Sequence, residues 1–124
     1  MRRPRRSGRQ RAAGRWTDRP LTFEVMRWFE ANLAVGGHAD AHRLSPLDAA
    51  DVTGAPPALV VTAGYDCLKD EGLAYAERLR AAGIAAEHVE YAALPHDFFI
   101  MADVSPAVIP AARATAAALR ARIG

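Results

Sequence analysis

The sequence predicts an α/β fold whose parallel sheet extends past its own two strands. Residues 58–63 form a continuous apolar run between Pro57 and Gly64, without the polar alternation of a half-exposed strand, as in strands that are buried on both faces. A helix and a second strand, residues 86–91, follow, which makes a β-α-β unit with a right-handed crossover. Two short strands leave apolar edges open. We therefore expect the end portion of a wider, incomplete sheet.

Composition and charge limit the class of protein. The chain has 124 residues, 51% hydrophobic and 24% charged, which suits one small domain with a core. Residues 1–20 hold eight arginines and one acid, a net charge of +7, and the remaining 104 residues carry −5. Because the basic charge is not spread over a folded face, we expect no specific nucleic-acid partner. Residues 1–20 are expected to be a disordered Arg-rich tail, and residues 21–124 the folded segment. The tail is interpreted as an unselected extension or else as an arm for nucleic acid or an anionic membrane.

Cysteine and histidine usage argues against disulfides, metals and cofactors. Cys67 is the single cysteine, which excludes an internal disulfide and favours a reducing, cytoplasmic location. His38, Asp40 and His42 are spaced two apart, as ligands on a strand can be, but no fourth ligand lies nearby. We expect no metal and no cofactor. No apolar stretch approaches the ~18 residues of a membrane span.

The helices are predicted from caps, spacing and stops. Thr22 can cap a first helix with an apolar face, which Gly36-Gly37 ends. The loop 38–57 has room for one short turn around residues 47–50. Asp70 is the expected cap of a helix to about residue 82, which Gly83 ends. A last helix opens at Ser105-Pro106 or at Pro110 and runs to about Arg122. The apolar positions of the first two helices are Phe23, Met26, Trp28, Phe29, Leu33, and Leu73, Tyr75, Ala76, Leu79.

Two loops leave the carboxyl ends of the two strands, where α/β sheets carry their chemistry. Residues 64–71 include acids, and His96 lies in the second loop. Asp70 and Glu71 lie at a helix start, where acids interact with the helix dipole. Asp66 has no such local role and is the better partner to orient the imidazole. The spacing alone leaves open that Asp66 only closes a turn.

Five motifs follow one another in the order of a known family. They are Ser45-Pro46-Leu47, then Pro56-Pro57-Ala58-Leu59-Val60, the acid loop from Asp66 to Gly72, the helix from Tyr75 to Gly83 and His96-Asp97-Phe98. In this order they resemble the C-terminal part of α/β-hydrolase-fold esterases and lipases of the hormone-sensitive-lipase type. Leu21-Thr22 and Met26 to Phe29 resemble the segment before them more weakly.

The resemblance implies a site and a reaction. Asp66 would be the acid and His96 the base of a catalytic triad whose serine lies in a Gly-x-Ser-x-Gly turn. Ser7, Ser45 and Ser105 are the three serines, and none has that context. We therefore expect a fragment of a carboxylic ester hydrolase for small-molecule esters, without nucleophile or oxyanion hole and inactive alone. The alternative is a non-catalytic remnant or partner-binding fragment. Because of its open edges, the isolated chain is expected to be either marginally stable or self-associating.

Two residues depart from the family pattern. Cys67 replaces a proline, and Asp97 replaces the glycine after the histidine. Aspartate can adopt the positive φ of a glycine at some cost, and its carboxylate can misdirect His96. A weaker alternative makes Cys67 a thiol nucleophile. Trp28 and Phe29 are interpreted as core residues, or as lining of an acyl pocket as the resemblance suggests.

Overall fold

A computed structural model describes residues 20–33 and 45–123. The order of elements agrees with the predicted helix, strand, helix, strand, helix. The elements are α1 (Phe23–Leu33), β1 (Ala58–Tyr65), α2 (Lys69–Ala81), β2 (Ala86–Pro95) and α3 (Val108–Ile123), with short 3-10 helices at Pro46–Asp48 and Phe98–Met101. The Arg-rich tail up to residue 19, Gly36-Gly37 and the His38, Asp40, His42 group lie outside the described residues.

The two strands pair in parallel, as predicted for a β-α-β unit. Partners run in register from Ala58 opposite Ala86 to Ala63 opposite Tyr91. Beyond that point the register shifts, and Tyr65 lies opposite Pro95. Both strands are longer than the apolar runs predicted, because the pairing continues through this irregularity.

Each face of the sheet is covered by a different helix. On one face Ala63 packs with Phe98, Val108 and Ala111, and the Tyr91 hydroxyl lies 2.9 Å from the carbonyl oxygen of Ala111, to which it donates. On the other face α2 packs against both strands and buries Ala76 and Leu79. Strand β1 thus has a helix on each face, but only Thr62 and Ala63 are buried and the rest of the strand is partly or, at Tyr65, more fully exposed.

Helix α2 begins one residue earlier than predicted, and the prediction of Asp70 as its cap is wrong. The N-cap position is Leu68, without a side-chain cap bond, and Asp70 lies in the first turn. Asp66 closes the preceding turn instead: its Oδ1 accepts from the Leu68 N–H at 2.8 Å, and its carbonyl accepts from Lys69 at 3.3 Å. Helix α3 begins at Val108, between the two starts considered.

Helix α1 lies where the cap and spacing predict it, but its aromatic residues are exposed. The Thr22 hydroxyl accepts from the Val25 N–H at 3.2 Å, which is the expected cap. Trp28 and Phe29 are 62% and 46% exposed, and their rings meet edge to face at 5.2 Å. Interpreting these two residues as core is therefore wrong for the part of the chain that the structure describes.

Candidate active site

An irregularity in the sheet aligns the two loops. After Ala63 opposite Tyr91, two steps along β1 correspond to four along β2, which places Tyr65 opposite Pro95. The next residue on each strand is Asp66 and His96, so the shift brings them side by side. An unshifted ladder would place Asp66 opposite Leu94, two residues short of the imidazole.

Gly64 makes this irregularity possible. A Cβ at that position would lie 2.0 Å from the carbonyl oxygen of Ala92, which no side chain tolerates. The strand backbones approach each other so closely there that only glycine fits. In the sequence Gly64 marks the end of the apolar run, and a glycine at such a position is also a recognised signal for a bulge or a close backbone approach.

Asp66 is held by its own loop and points at the histidine. Its Oδ1 accepts from Leu68, as described above, and its Oδ2 lies 2.7 Å from Nδ1 of His96. The side chains of Asp66 and His96 are 12% and 26% exposed. Turn closure and contact with the imidazole were the two interpretations of Asp66 that spacing left open. One carboxylate does both, since each oxygen has its own partner.

The histidine loop is anchored on both sides of His96. The His96 N–H donates to the carbonyl of Tyr65 at 3.4 Å. Phe98, two residues on, is 3% exposed, and its ring packs edge to face against that of Tyr91 at 5.3 Å. The main chain around the imidazole is therefore tied to β1 by a hydrogen bond and to the core by a buried aromatic ring.

Asp97 has a left-handed backbone conformation, and its carboxylate approaches Nε2, the other ring nitrogen of His96. Its φ is 59°, the one positive φ among the described non-glycine residues. That is the left-handed region, which aspartate adopts more readily than most residues. Its Oδ1 lies 3.3 Å from Nε2 of His96, and its side chain is 61% exposed. The imidazole thus lies between two carboxylates, one on each nitrogen.

Cys67 has the surroundings of an unreactive thiol. Burial raises its pKa, and the nearby charge of Asp66 raises it further. The thiolate, which is the nucleophilic form, is therefore scarcer at neutral pH than for an ordinary cysteine. This weakens the interpretation of Cys67 as a nucleophile that uses His96 as its base.

The described serines serve turns. Ser45 donates from its hydroxyl to Oδ2 of Asp48 at 2.8 Å, and the carbonyl of Ser105 accepts from Val108 at the start of α3. Within residues 20–33 and 45–123, no cluster of three or more histidine, cysteine or acidic side chains could hold a metal ion. The described site therefore consists of a carboxylate and an imidazole. The carboxylate can orient the imidazole ring, and Nε2 of the ring can accept and donate a proton.

Comparison with known proteins identifies the family. A sequence profile of the alpha/beta hydrolase fold matches residues 2–100, well over half of the chain. The chain belongs to the α/β-hydrolase family, and the hormone-sensitive-lipase type is consistent with the match. This confirms the resemblance and the fold class drawn from the sequence motifs.

Relatives and solved structures agree with this assignment. Over 80 residues the chain is 41% identical to the carboxylic ester hydrolase LipN of Mycobacterium tuberculosis, covering 63% of this chain and 21% of LipN. It is 33% identical to the carboxylesterase NlhH of the same organism, covering 83% of this chain and 32% of NlhH. The hyperthermophilic esterase of the archaeon Pyrobaculum calidifontis superposes with a TM-score of 0.70 at 32% identity, over 84% of this chain and 34% of the esterase.

The chain spans between about a fifth and a third of the length of the curated relatives named above. Over the described ranges, none of the helices has the length and apolar character required to cross a bilayer.

Proposed function

We propose that this chain supplies the acid and the base of a serine carboxylic ester hydrolase. The observation that carries the proposal is the 2.7 Å contact between Oδ2 of Asp66 and Nδ1 of His96 at the carboxyl ends of two parallel strands. Esterase relatives over most of the chain support ester hydrolysis as the reaction class. The substrate is a small-molecule ester, and the proposal needs no metal or cofactor.

In this proposal each atom of the pair has a defined task. The Asp66 carboxylate accepts from Nδ1–H and fixes the ring in the tautomer that leaves the Nε2 lone pair free. Nε2 takes the proton from a serine hydroxyl as that oxygen bonds to the ester carbonyl carbon. Nε2–H then gives the proton to the leaving alkoxide, and the same sequence with water releases the acid. During each transfer the carboxylate stabilises the positively charged ring.

The serine and the oxyanion donors come from another part of the enzyme in this proposal. The three serines of the sequence lie outside any Gly-x-Ser-x-Gly context, the turn that presents a nucleophile in this fold. We therefore propose that the chain acts as the C-terminal portion of a larger catalytic unit. The chain alone is expected to hydrolyse p-nitrophenyl butyrate no faster than its His96→Ala variant.

A fused enzyme tests the proposal. The part of the Pyrobaculum calidifontis esterase that the match leaves uncovered is joined to the N-terminus of this chain, and turnover of p-nitrophenyl butyrate is measured. We expect hydrolysis that His96→Ala reduces by a factor on the order of 10⁶, as for removal of a triad histidine. His88→Ala is the matched control, because His88 lies within β2, away from the pair of Asp66 and His96, and contacts Thr62 at 2.8 Å. Equal loss in both variants, or a folded but inactive fusion, would contradict the proposed roles.

A specific observation favours a second candidate, a non-catalytic remnant that binds a partner. Oδ1 of Asp97 lies 3.3 Å from Nε2 of His96, the nitrogen on which base catalysis depends. If Asp97 keeps a proton on Nε2, no lone pair remains for a serine. The side chain of Asp97 is 61% exposed and its oxygen is the more distant of the two, so we rank this candidate second.

A cytoplasmic location stays a prediction from the lone cysteine.

A further inference from the structure

The carboxylate of Asp97 lies at the site, but the proposed reaction does not use it. Its Oδ1 lies 3.3 Å from Nε2 of His96, and 61% of its side chain is exposed. Over the residues that the structure describes, Lys69 and Arg122 form their ion pairs with acids on β2 instead. Within the described ranges, therefore, no lysine or arginine side chain compensates the charge of Asp97.

The chain that follows His96 supplies no positive charge of its own. From residue 97 to residue 112 the sequence contains no arginine or lysine, and Asp97 and Asp103 are its only charged residues. Both of these side chains are exposed. Charge of one sign beside a site raises the local concentration of substrates of the opposite sign. The side of the site next to Asp97 therefore favours a cation.

The side chains next to Asp97 indicate what kind of cation fits. The 3-10 helix Phe98–Met101 begins directly after it, and this helix exposes 46% of Phe99 and 80% of Ile100. The ring of Phe99 is held in place by stacking on the buried Phe98 at a centroid distance of 4.2 Å. A carboxylate followed by an exposed aromatic ring suits an alkylated ammonium group, because ring faces attract such cations and their alkyl groups avoid water.

The geometry at Nε2 indicates which part of the substrate would carry the charge. In the proposed reaction Nε2 gives its proton to the oxygen of the leaving alcohol, which must lie within hydrogen-bond reach of that nitrogen. Oδ1 of Asp97 lies 3.3 Å from the same nitrogen. The alcohol oxygen and the carboxylate are therefore within roughly 6 Å of each other. An ammonium joined to that oxygen through two carbons can reach Asp97.

A cation at Asp97 would also act on the histidine. The free carboxylate favours a proton on Nε2, the nitrogen whose lone pair the serine needs. A carboxylate that binds an ammonium group is a weaker acceptor for that proton, so the lone pair of Nε2 becomes available. An uncharged ester provides no such competition. The residue that interferes with a neutral substrate would therefore assist a cationic one.

We propose that Asp97 makes the site selective for esters whose alcohol carries an alkylated ammonium group two carbons from the ester oxygen. This substrate class rests on the function proposed above, since it assumes that Nε2 of His96 serves the leaving alcohol. Asp97 acts here as a residue that determines specificity, and the reacting groups remain those already described.

Binding to the whole chain tests the cation site without catalysis. Choline and its uncharged isostere 3,3-dimethylbutanol are added at equal ionic strength, and ¹H–¹⁵N correlation spectra follow the His96 ring and the neighbouring amides. We expect shifts with choline and none with 3,3-dimethylbutanol. Asp97→Asn should weaken choline binding about two- to fivefold, as for loss of an exposed ion pair. Asp97→Gly, which suits the left-handed conformation, should have the same effect.

The fused enzyme tests the selectivity in turnover. Butyrylcholine and 3,3-dimethylbutyl butyrate have the same shape and differ in charge, and acid released at constant pH measures the hydrolysis of both. Asp97→Asn should lower the ratio of their kcat/KM values about two- to fivefold. Asp103→Asn is the matched control, because it removes an exposed acid of the same stretch and should leave the ratio unchanged. Circular dichroism of each variant checks its fold.

The outcomes separate this proposal from the proposed function. Equal shifts with both alcohols, choline shifts that persist in Asp97→Asn, or equal effects of Asp97→Asn and Asp103→Asn would overturn the selectivity. If the fused enzyme hydrolyses both esters at a ratio that Asp97→Asn leaves unchanged, the function stands and the selectivity fails. Choline binding that depends on Asp97, together with a folded but inactive fusion, would support the cation site and contradict the function.

Discussion

Two carboxylates flank the imidazole of His96, and they differ in every respect that matters for catalysis. Asp66 is 12% exposed, lies 2.7 Å from Nδ1 and is fixed by a second bond from Leu68. Asp97 is 61% exposed, lies 3.3 Å from Nε2 and has a positive φ. A held, partly buried acceptor orients a ring more strongly than an exposed one, which water and salt screen.

Aspartate therefore has a structural role at position 66, whereas at position 97 it is only compatible with the backbone conformation. Asp66 closes a turn and meets the histidine through separate oxygens, so its loop and its contact depend on each other. Asp97 has a backbone conformation that suits glycine, the residue of the resembled family at that position. Its carboxylate faces the nitrogen that a nucleophile would need. We therefore propose that Asp66 orients the imidazole and that Asp97 interferes at Nε2.

The largest expected difference lies in turnover. In the fused enzyme Asp66→Asn should lower kcat by about 10⁴, because an amide no longer selects the Nδ1–H tautomer. Asp97→Asn, the matched change on the other side of the ring, should leave kcat unchanged or raise it. Rates of p-nitrophenyl butyrate hydrolysis at saturating substrate measure both. A greater loss with Asp97→Asn would reverse the two assignments.

A smaller effect concerns stability. Asp97→Gly should raise the free energy of unfolding of the chain by about 1 kcal/mol relative to Asp97→Ala, seen as a higher urea midpoint, because a left-handed residue without a Cβ avoids its steric penalty. At Asp70, in the first turn of α2, the order should be reversed: the glycine variant should be less stable than the alanine variant, since glycine is unfavourable inside a helix. Equal midpoints for the two variants at position 97 would mean that its positive φ carries no strain.

Much of this arrangement could be predicted from the sequence. The uncharged run of β1 indicated a parallel strand with a helix on each face, although only Thr62 and Ala63 of it are buried, and Gly83 indicated the end of α2, where its φ is 78°. Asp70 and Glu71 lie at a helix start, where acids interact with the helix dipole, so Asp66 was the better predicted partner for His96. These inferences hold because they depend on local spacing and on the common edge of parallel strands.

The remainder depends on tertiary contacts that no local pattern encodes. The register shift arises where Gly64 meets the backbone of Ala92, a contact between residues far apart in sequence. The N-cap position of α2 is Leu68 rather than the predicted Asp70, because Asp66 closes the turn that precedes the helix. The apolar spacing of α1 predicted its helix, but exposure of Trp28 depends on what packs there.

The proton position on a neutral His96 ring tests the central claim most directly. Long-range ¹H–¹⁵N correlation spectra of the whole chain, recorded where the ¹⁵N shifts of the ring are those of a neutral imidazole, show which nitrogen carries the proton. His96→Ala identifies the signal among the four histidines of the sequence. The proposal that Asp66 orients the ring predicts a proton on Nδ1, facing Asp66, and no change with Asp97→Asn. A proton on Nε2, facing Asp97, that moves to Nδ1 in the Asp97→Asn variant would contradict it.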